Sequence, residues 1–170
     1  MKTILALLFL FPLAALAQDT CQLKKSTDPF THETKLTTGF VPFTYNGIQM
    51  SISIDATPTE VDFFIWVKND SKCFDDQSTI QINFEGERLK ANLRNTGSMN
   101  CEGAFHFSFK NSATTTPSQL QRLGDKRVAS IKLTGANKSV TEIVFTEEQK
   151  QKFMRMAGCV TREAKAIVKK

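Results

Sequence analysis

The chain has 170 residues, 41% of them hydrophobic and 23% charged, with a formal net charge of +5. That length suits one ordinary domain with a real core. The pI of 9.1 sits at the edge of the nucleic-acid-binding range, but bases and acids interleave along the chain instead of concentrating on one face, so no nucleic acid is expected as partner.

Residues 1–17 read as a signal peptide. Lys2 supplies the positive n-region, Ile4 to Leu13 form an apolar run too short to span a bilayer, and Ala15-Leu16-Ala17 is an A-x-A cleavage site. The expected mature chain starts at Gln18 and is secreted or periplasmic. Losing Lys2 alone takes the charge from +5 to +4. No later segment reads as a transmembrane helix. Cys21 follows Gln18-Asp19-Thr20 and does not sit at the cleavage site, so no lipid anchor is expected. All four cysteines (Cys21, Cys73, Cys101 and Cys159) lie in the mature part, far apart in sequence. In an oxidising compartment that spacing favours two disulfides over a metal site, and no cofactor is expected.

Residues 18–35 are polar and irregular and read as an N-terminal arm, with residues 36–170 forming a single β-rich domain. Lys35 to Tyr45 reads as one strand, and Asn46-Gly47 as a type I′ hairpin turn. Ile48, Met50, Ile52 and Ile54 alternate with Gln49, Ser51, Ser53 and Asp55, giving one apolar face and one wet face. Val61 to Val67 is almost continuously apolar, which predicts a central strand covered on both faces. Its parity places Val61, Phe63, Ile65 and Val67 on one side. Phe64 and Trp66 fall on the other, which must meet the helix, the arm or a ligand.

Thr79 to Asn95 reads as a hairpin turning at Gly86-Glu87, with Phe84 opposite Leu89, Ile82 opposite Ala91 and Ile80 opposite Leu93. A one-residue slip would break every apolar pair. Extending that register puts Cys73 opposite Asn100, so a small irregularity would bring Cys73 and Cys101 together. Their bridge closes a loop of about 30 residues, worth about 3.5 kcal/mol in the chain-entropy model. Phe105, Phe107 and Phe109 form the next inward stripe. Pro117 to Leu123 predicts one or two helical turns ending at Gly124, and Arg127 to Thr134 with Ser139 to Phe145 a last hairpin.

A C-terminal helix is predicted over residues 147–168, with Thr146 and Gln149 as a capping box and Glu147 and Glu148 in its first turn. Phe153, Met156, Ala157, Val160, Ala164, Ile167 and Val168 share one stripe that continues through Gly158 at a cost of about 1 kcal/mol. Cys159 lies on the flank of that stripe, within reach of the arm, which leaves Cys21 as its partner.

Catalytic signals are sparse. The histidines, His32 and His106, read as surface residues, and no nucleophile-elbow signature accompanies them. The acidic pairs Asp75-Asp76 and Glu85/Glu87 sit at turns, where carboxylates serve solubility and local hydrogen bonds. They are the basis of an alternative reading as a small hydrolase. Arg88, Lys90 and Arg94 point outward and, with His106, Lys110 and Lys132 from neighbouring strands, outline a basic face suited to an acidic polysaccharide, lipid headgroups or a protein. Asn69-Asp70-Ser71 and Asn137-Lys138-Ser139 match glycosylation sequons.

Asp28-Pro29-Phe30-Thr31, followed by Lys35-Leu36-Thr37-Thr38, resembles the opening of small exported bacterial proteins with a D-x-F-T segment, a cysteine on either side of a central hairpin and a C-terminal helix. Those proteins carry no assigned activity. The resemblance implies only a periplasmic or outer-surface location.

The expectation is therefore a mainly β (α+β) fold: about eight antiparallel strands in a curved sheet, sandwich or partly open barrel, with the C-terminal helix packed on it. The leading functional reading is a non-enzymatic exported binding module, with candidate binding residues Phe64, Trp66, Arg88, Lys90 and Arg94. Its partner is an envelope protein, an acidic polysaccharide or an apolar small molecule. The third reading is a carrier of an apolar ligand held between sheet and helix.

Overall fold

The computed structural model describes residues 21–68, 72–88 and 90–168. The expected signal peptide and cleavage site, the sequon at Asn69 and the expected pairing of Leu89 lie outside the described residues.

Strand β1 (Lys24–Thr27), β2 (Thr34–Thr37), β3 (Val41–Tyr45), β4 (Ile48–Ala56) and β5 (Glu60–Lys68) come first. They are followed by β6 (Thr79–Phe84), β7 (Lys90–Arg94) and β8 (Ala104–Lys110). Helix α1 (Ser118–Asp125), β9 (Val128–Thr134), β10 (Val140–Val144) and helix α2 (Glu147–Ala164) complete the fold, with a 3-10 turn at Lys165–Ile167. The described strands number ten, not eight, and form two antiparallel sheets that do not close into a barrel. One sheet runs β1-β2-β4-β5-β8 with β3 also paired to β4; the other runs β10-β9-β6-β7.

The two additional strands come from segments read as an arm and as one long strand. Residues 24–27 pair with 34–37 as a hairpin. Its turn is built by Asp28, whose carboxylate accepts the backbone N–H groups of Phe30 at 2.9 Å and Thr31 at 2.7 Å. The D-x-F-T segment is thus an Asx-type turn. The stretch from Lys35 to Tyr45 breaks at Gly39, whose φ of +65° no strand residue adopts. The chain therefore passes from β2 to β3 along the same edge of β4.

The hairpins otherwise keep the expected registers. Asn46 and Gly47 have φ of 48° and 80°, as a type I′ turn requires. In the β6–β7 hairpin Ile82 pairs with Ala91 and Ile80 with Leu93. Beyond Asn95, whose N–H donates to the Ser78 carbonyl, the register moves by one so that Phe74 bridges Asn100. That shift sets Cys73 against Cys101, and the disulfides are Cys73–Cys101 and Cys21–Cys159.

Buried residues of both sheets and of α2 form one core. Phe153 of α2 packs near Phe43, Phe63 and Phe145, with ring centroids 6.4, 6.5 and 5.9 Å away. Phe43 of β3 stacks on Phe145 at 5.1 Å, joining the two sheets at that side. The Thr146 hydroxyl accepts from Gln149 N–H, and the Gln149 side chain accepts from Thr146 N–H, so the capping box forms. Regular α-helix ends at Ala164, short of 168. Among the described residues no helix is long and apolar enough to cross a membrane.

Candidate functional site

One expectation fails informatively. Strand β5 lies between β4 and β8, yet only one of its faces is covered. Val61, Phe63, Ile65 and Val67 are buried, while Phe64 is 36% and Trp66 43% exposed. Centrality in a sheet decides hydrogen bonding, not coverage. Here the core and α2 occupy one face, and the other opens on a shallow groove of about 360 Å3.

Phe64 and Trp66 form the groove floor, and Phe40, from the break between β2 and β3, stands at its side with 63% exposure. Gly97, Ser98, Asn100 and Glu102, on the loop between β7 and β8, make the opposite wall. Two buried or half-buried asparagines hold that loop. Asn95 Oδ1 accepts from His106 N–H at 2.9 Å, and Asn100 Oδ1 accepts from Ala104 N–H at 3.1 Å, while Asn100 Nδ2 donates to the Ala104 carbonyl at 2.9 Å. These amides satisfy the free edge of β8 as a strand would. The Cys73–Cys101 bridge ties the same loop to the segment before β6. Trp66 Nε1–H donates to the Glu102 carbonyl at 2.8 Å, which fixes the indole while leaving one ring face open.

His106 lines the groove and stacks on Phe64 with centroids 4.4 Å apart and an interplanar angle of 16°. Its Nε2 lies 3.1 Å from Asp62 Oδ1 and its Nδ1 3.0 Å from the Thr96 hydroxyl. A carboxylate accepts, so Nε2–H points to Asp62, while the contact between Nδ1 and the Thr96 hydroxyl takes either direction, the hydroxyl also reaching the His106 carbonyl at 3.3 Å. A carboxylate, an imidazole and a hydroxyl in a row have the composition of a hydrolytic relay. The adjacent Gly97 N–H is taken by Asn95 Oδ1 at 3.3 Å and is not free to stabilise an oxyanion. The row instead locks His106 flat against Phe64.

Beside it Asp55 is buried and fully partnered. It pairs with Lys35 at 2.7 Å, accepts from Ser53 at 2.9 Å and is also bonded by the Thr37 hydroxyl.

The other sequence-derived candidates lie elsewhere. Lys90 and Arg94 are exposed on β7 in the second sheet, and Arg88 sits in the hairpin turn before it. His106 and Lys110 belong to the first sheet, so the basic row is divided and does not form one face with them. Around Lys90 and Arg94 the second sheet is amide-rich: Lys90 Nζ donates to Gln81 at 3.4 Å and Gln81 to Asn92 at 3.1 Å.

Three of the four carboxylates of the acidic pairs, Asp75, Glu85 and Glu87, are locally committed, and Asp76 is exposed. Asp75 is held below the ordinary carboxylate range, first by the Ser78 hydroxyl at 2.7 Å and then by backbone N–H groups that include Gln77's. Glu85 pairs with Arg127 at 3.0 Å and with Lys150 at 2.7 Å, and Glu87 with Lys126 at 3.0 Å. His32 is exposed in the turn after Asp28. Among the described residues no group of three His, Cys, Asp or Glu side chains is arranged to hold a metal ion.

Phe40 and Glu102 were not singled out by sequence. Gly39 carries the available signal for Phe40, because a glycine inside an apparent strand marks a break or bulge. Nothing local announces that the Glu102 carbonyl would meet Trp66 across 36 residues of chain.

Fold and site together define a disulfide-stapled antiparallel β-domain with an aromatic groove on one sheet. In comparisons with protein-family models, curated proteins and solved structures, nothing matches this chain.

Proposed function

We propose that this is an exported, non-enzymatic binding module that seats the apolar face of a small organic ligand on Phe64 and Trp66. The observation that carries the reading is the exposure of these two rings, together with Phe40, in one groove on a sheet whose other face is core. Large apolar side chains gathered in one exposed patch mark interaction sites, and about 360 Å3 lies within the range of small-ligand clefts. The groove is preorganised, since the indole, the imidazole and the loop wall are each fixed by the hydrogen bonds described above, and this lowers the entropic cost of binding. Two disulfides fit an oxidising compartment, the periplasm or the cell exterior.

The test is native mass spectrometry of protein purified from its own envelope fraction, run beside Trp66→Ala and a triple charge reversal at Arg88, Lys90 and Arg94. A retained species present on the wild type and the triple variant but lost from Trp66→Ala is expected. Retention by Trp66→Ala, or loss on charge reversal alone, overturns the groove as the site. So does a wild-type protein that retains nothing and whose Trp66 emission does not respond to the envelope extract.

A further inference from the structure

We infer that the cleft between the N-terminal hairpin and helix α2 is a second binding site, selective for a small organic anion with an apolar body. The cleft encloses about 230 Å3 and has the Cys21–Cys159 disulfide in its wall. Leu23, Val41 and Met156 line it with apolar surface, and Lys152, Arg155 and Arg162 line it with positive charge. At 100° per residue, Lys152, Arg155, Cys159 and Arg162 fall within an arc of about 80° on α2. The three cations therefore rise from the same helix flank that the disulfide fastens to the hairpin.

Among the described residues no acidic side chain lines the cleft. Three bases elsewhere around α2 are ion-paired: Arg127 and Lys150 with Glu85 and Glu147, and Lys126 with Glu87. Lys152, Arg155 and Arg162 form no ion pair among the described residues. Lys152 instead lies over the Phe43 ring, its Nζ 5.8 Å from the centroid. Three cations gathered at the mouth of a partly apolar cleft focus a positive potential there. A carboxylate, sulfonate or phosphate monoester relieves their mutual repulsion, and Arg binds such groups in bidentate fashion. The apolar wall gives nothing to a fully hydrated inorganic ion, which is why an anion with an apolar body is favoured. The cleft shares no lining residue with the aromatic groove, so the inference stands independently of the function proposed above.

Calorimetric titration of the mature, disulfide-intact protein with octyl phosphate below its micelle concentration tests this. Octyl phosphate is expected to bind about tenfold or more tightly than either octanol or inorganic phosphate. Arg155→Ala and Arg162→Ala should each weaken it by about tenfold, and Trp66→Ala should leave it unchanged. Equal binding of octanol, binding unaffected by both arginine variants, or loss in Trp66→Ala overturns the site. Association with phosphatidylglycerol vesicles without binding of monomeric octyl phosphate overturns it in favour of a membrane surface. Binding that emerges only in Asp19→Asn shows the cations already neutralised from within the chain, and likewise overturns it. Unchanged Trp66 emission and an intact disulfide map verify that each variant is folded.

Discussion

Gly124 of α1 and Gly158 of α2 meet backbone to backbone: a Cβ on Gly124 would lie 2.9 Å from Gly158 Cα, and one on Gly158 would lie 3.1 Å from the Gly124 carbonyl oxygen. The helices cross at this point, which explains a glycine in the middle of α2 despite its cost to helix stability. Gly124→Ala gains about 1 kcal/mol of helix propensity but must separate two backbones, an overpacking cost of about 1–3 kcal/mol. We expect a net fall in Tm for Gly124→Ala and a smaller one for Gly158→Ala, both read by thermal unfolding.

Adjacent residues on β5 should differ sharply. Phe63 is fully buried and stacks on Phe107 at 4.8 Å, whereas Phe64 is one-third exposed. Phe63→Ala is expected to cost about 3–5 kcal/mol, and Phe64→Ala less than about 1 kcal/mol. Urea denaturation of the two variants checks the difference, and comparable losses would contradict the open face of β5.

The two disulfides should separate by function as well as by stability. Cys21 and Cys159 are 138 residues apart and Cys73 and Cys101 are 28 apart. The chain-entropy model assigns them about 5 and about 3.5 kcal/mol as upper values. Paired Cys→Ser replacement of Cys73 and Cys101 should loosen the groove wall and expose Trp66 further, seen as a red-shifted emission. Replacement of Cys21 and Cys159 should leave that emission in place. Non-reducing peptide mapping should recover both pairs and no Cys21–Cys73 peptide.

The ion-pair cluster at the start of α2 predicts a pH dependence. Glu147 is held below its ordinary value of 4.5, first by the Lys150 hydrogen bond and then by Arg127. Lys150 is raised above its ordinary value of 10.5, first by Glu147 and then by Glu85. The lowered carboxyl contributes stability that is present above pH 4.5 and is lost as pH falls through its folded value. The raised amine contributes stability that is present below pH 10.5 and is lost as pH rises through its folded value. Glu147→Gln should shallow both limbs of the stability profile measured by chemical denaturation. The acid limb persists in part, because Asp28 and Asp75 are also lowered.

Much of the architecture was legible in local pattern. Alternation along Ile48 to Ile54, the Asn46-Gly47 turn, the register from Ile80 to Leu93 and the Thr146/Gln149 box each depend on residues close in sequence. The structure keeps the turn, the register and the box, and it keeps the apolar face of the alternation, but Ser53 and Asp55 on the expected wet face are buried under the Thr37 and Lys35 side chains of β2. The long reading from Lys35 to Tyr45 missed its break because one glycine in a polar–apolar alternation does not reveal whether φ is positive. The extension of the basic row to His106 and Lys110 failed for a different reason. Side-chain parity assigns Lys90, Arg94 and His106 to outward faces but does not say to which sheet each strand belongs.

By itself, then, the sequence determined which side chains share a face, where the turns fall, and that four dispersed cysteines act as staples. Only the tertiary structure decided what covers each face. Period-2 and period-3.6 patterns are properties of a single element. The exposure of Phe64 and Trp66, the arrival of Phe40 beside them and the convergence of Lys152, Arg155 and Arg162 against the hairpin depend on how distant elements pack. No local pattern carries that information, because burial is a relation between segments far apart in the chain.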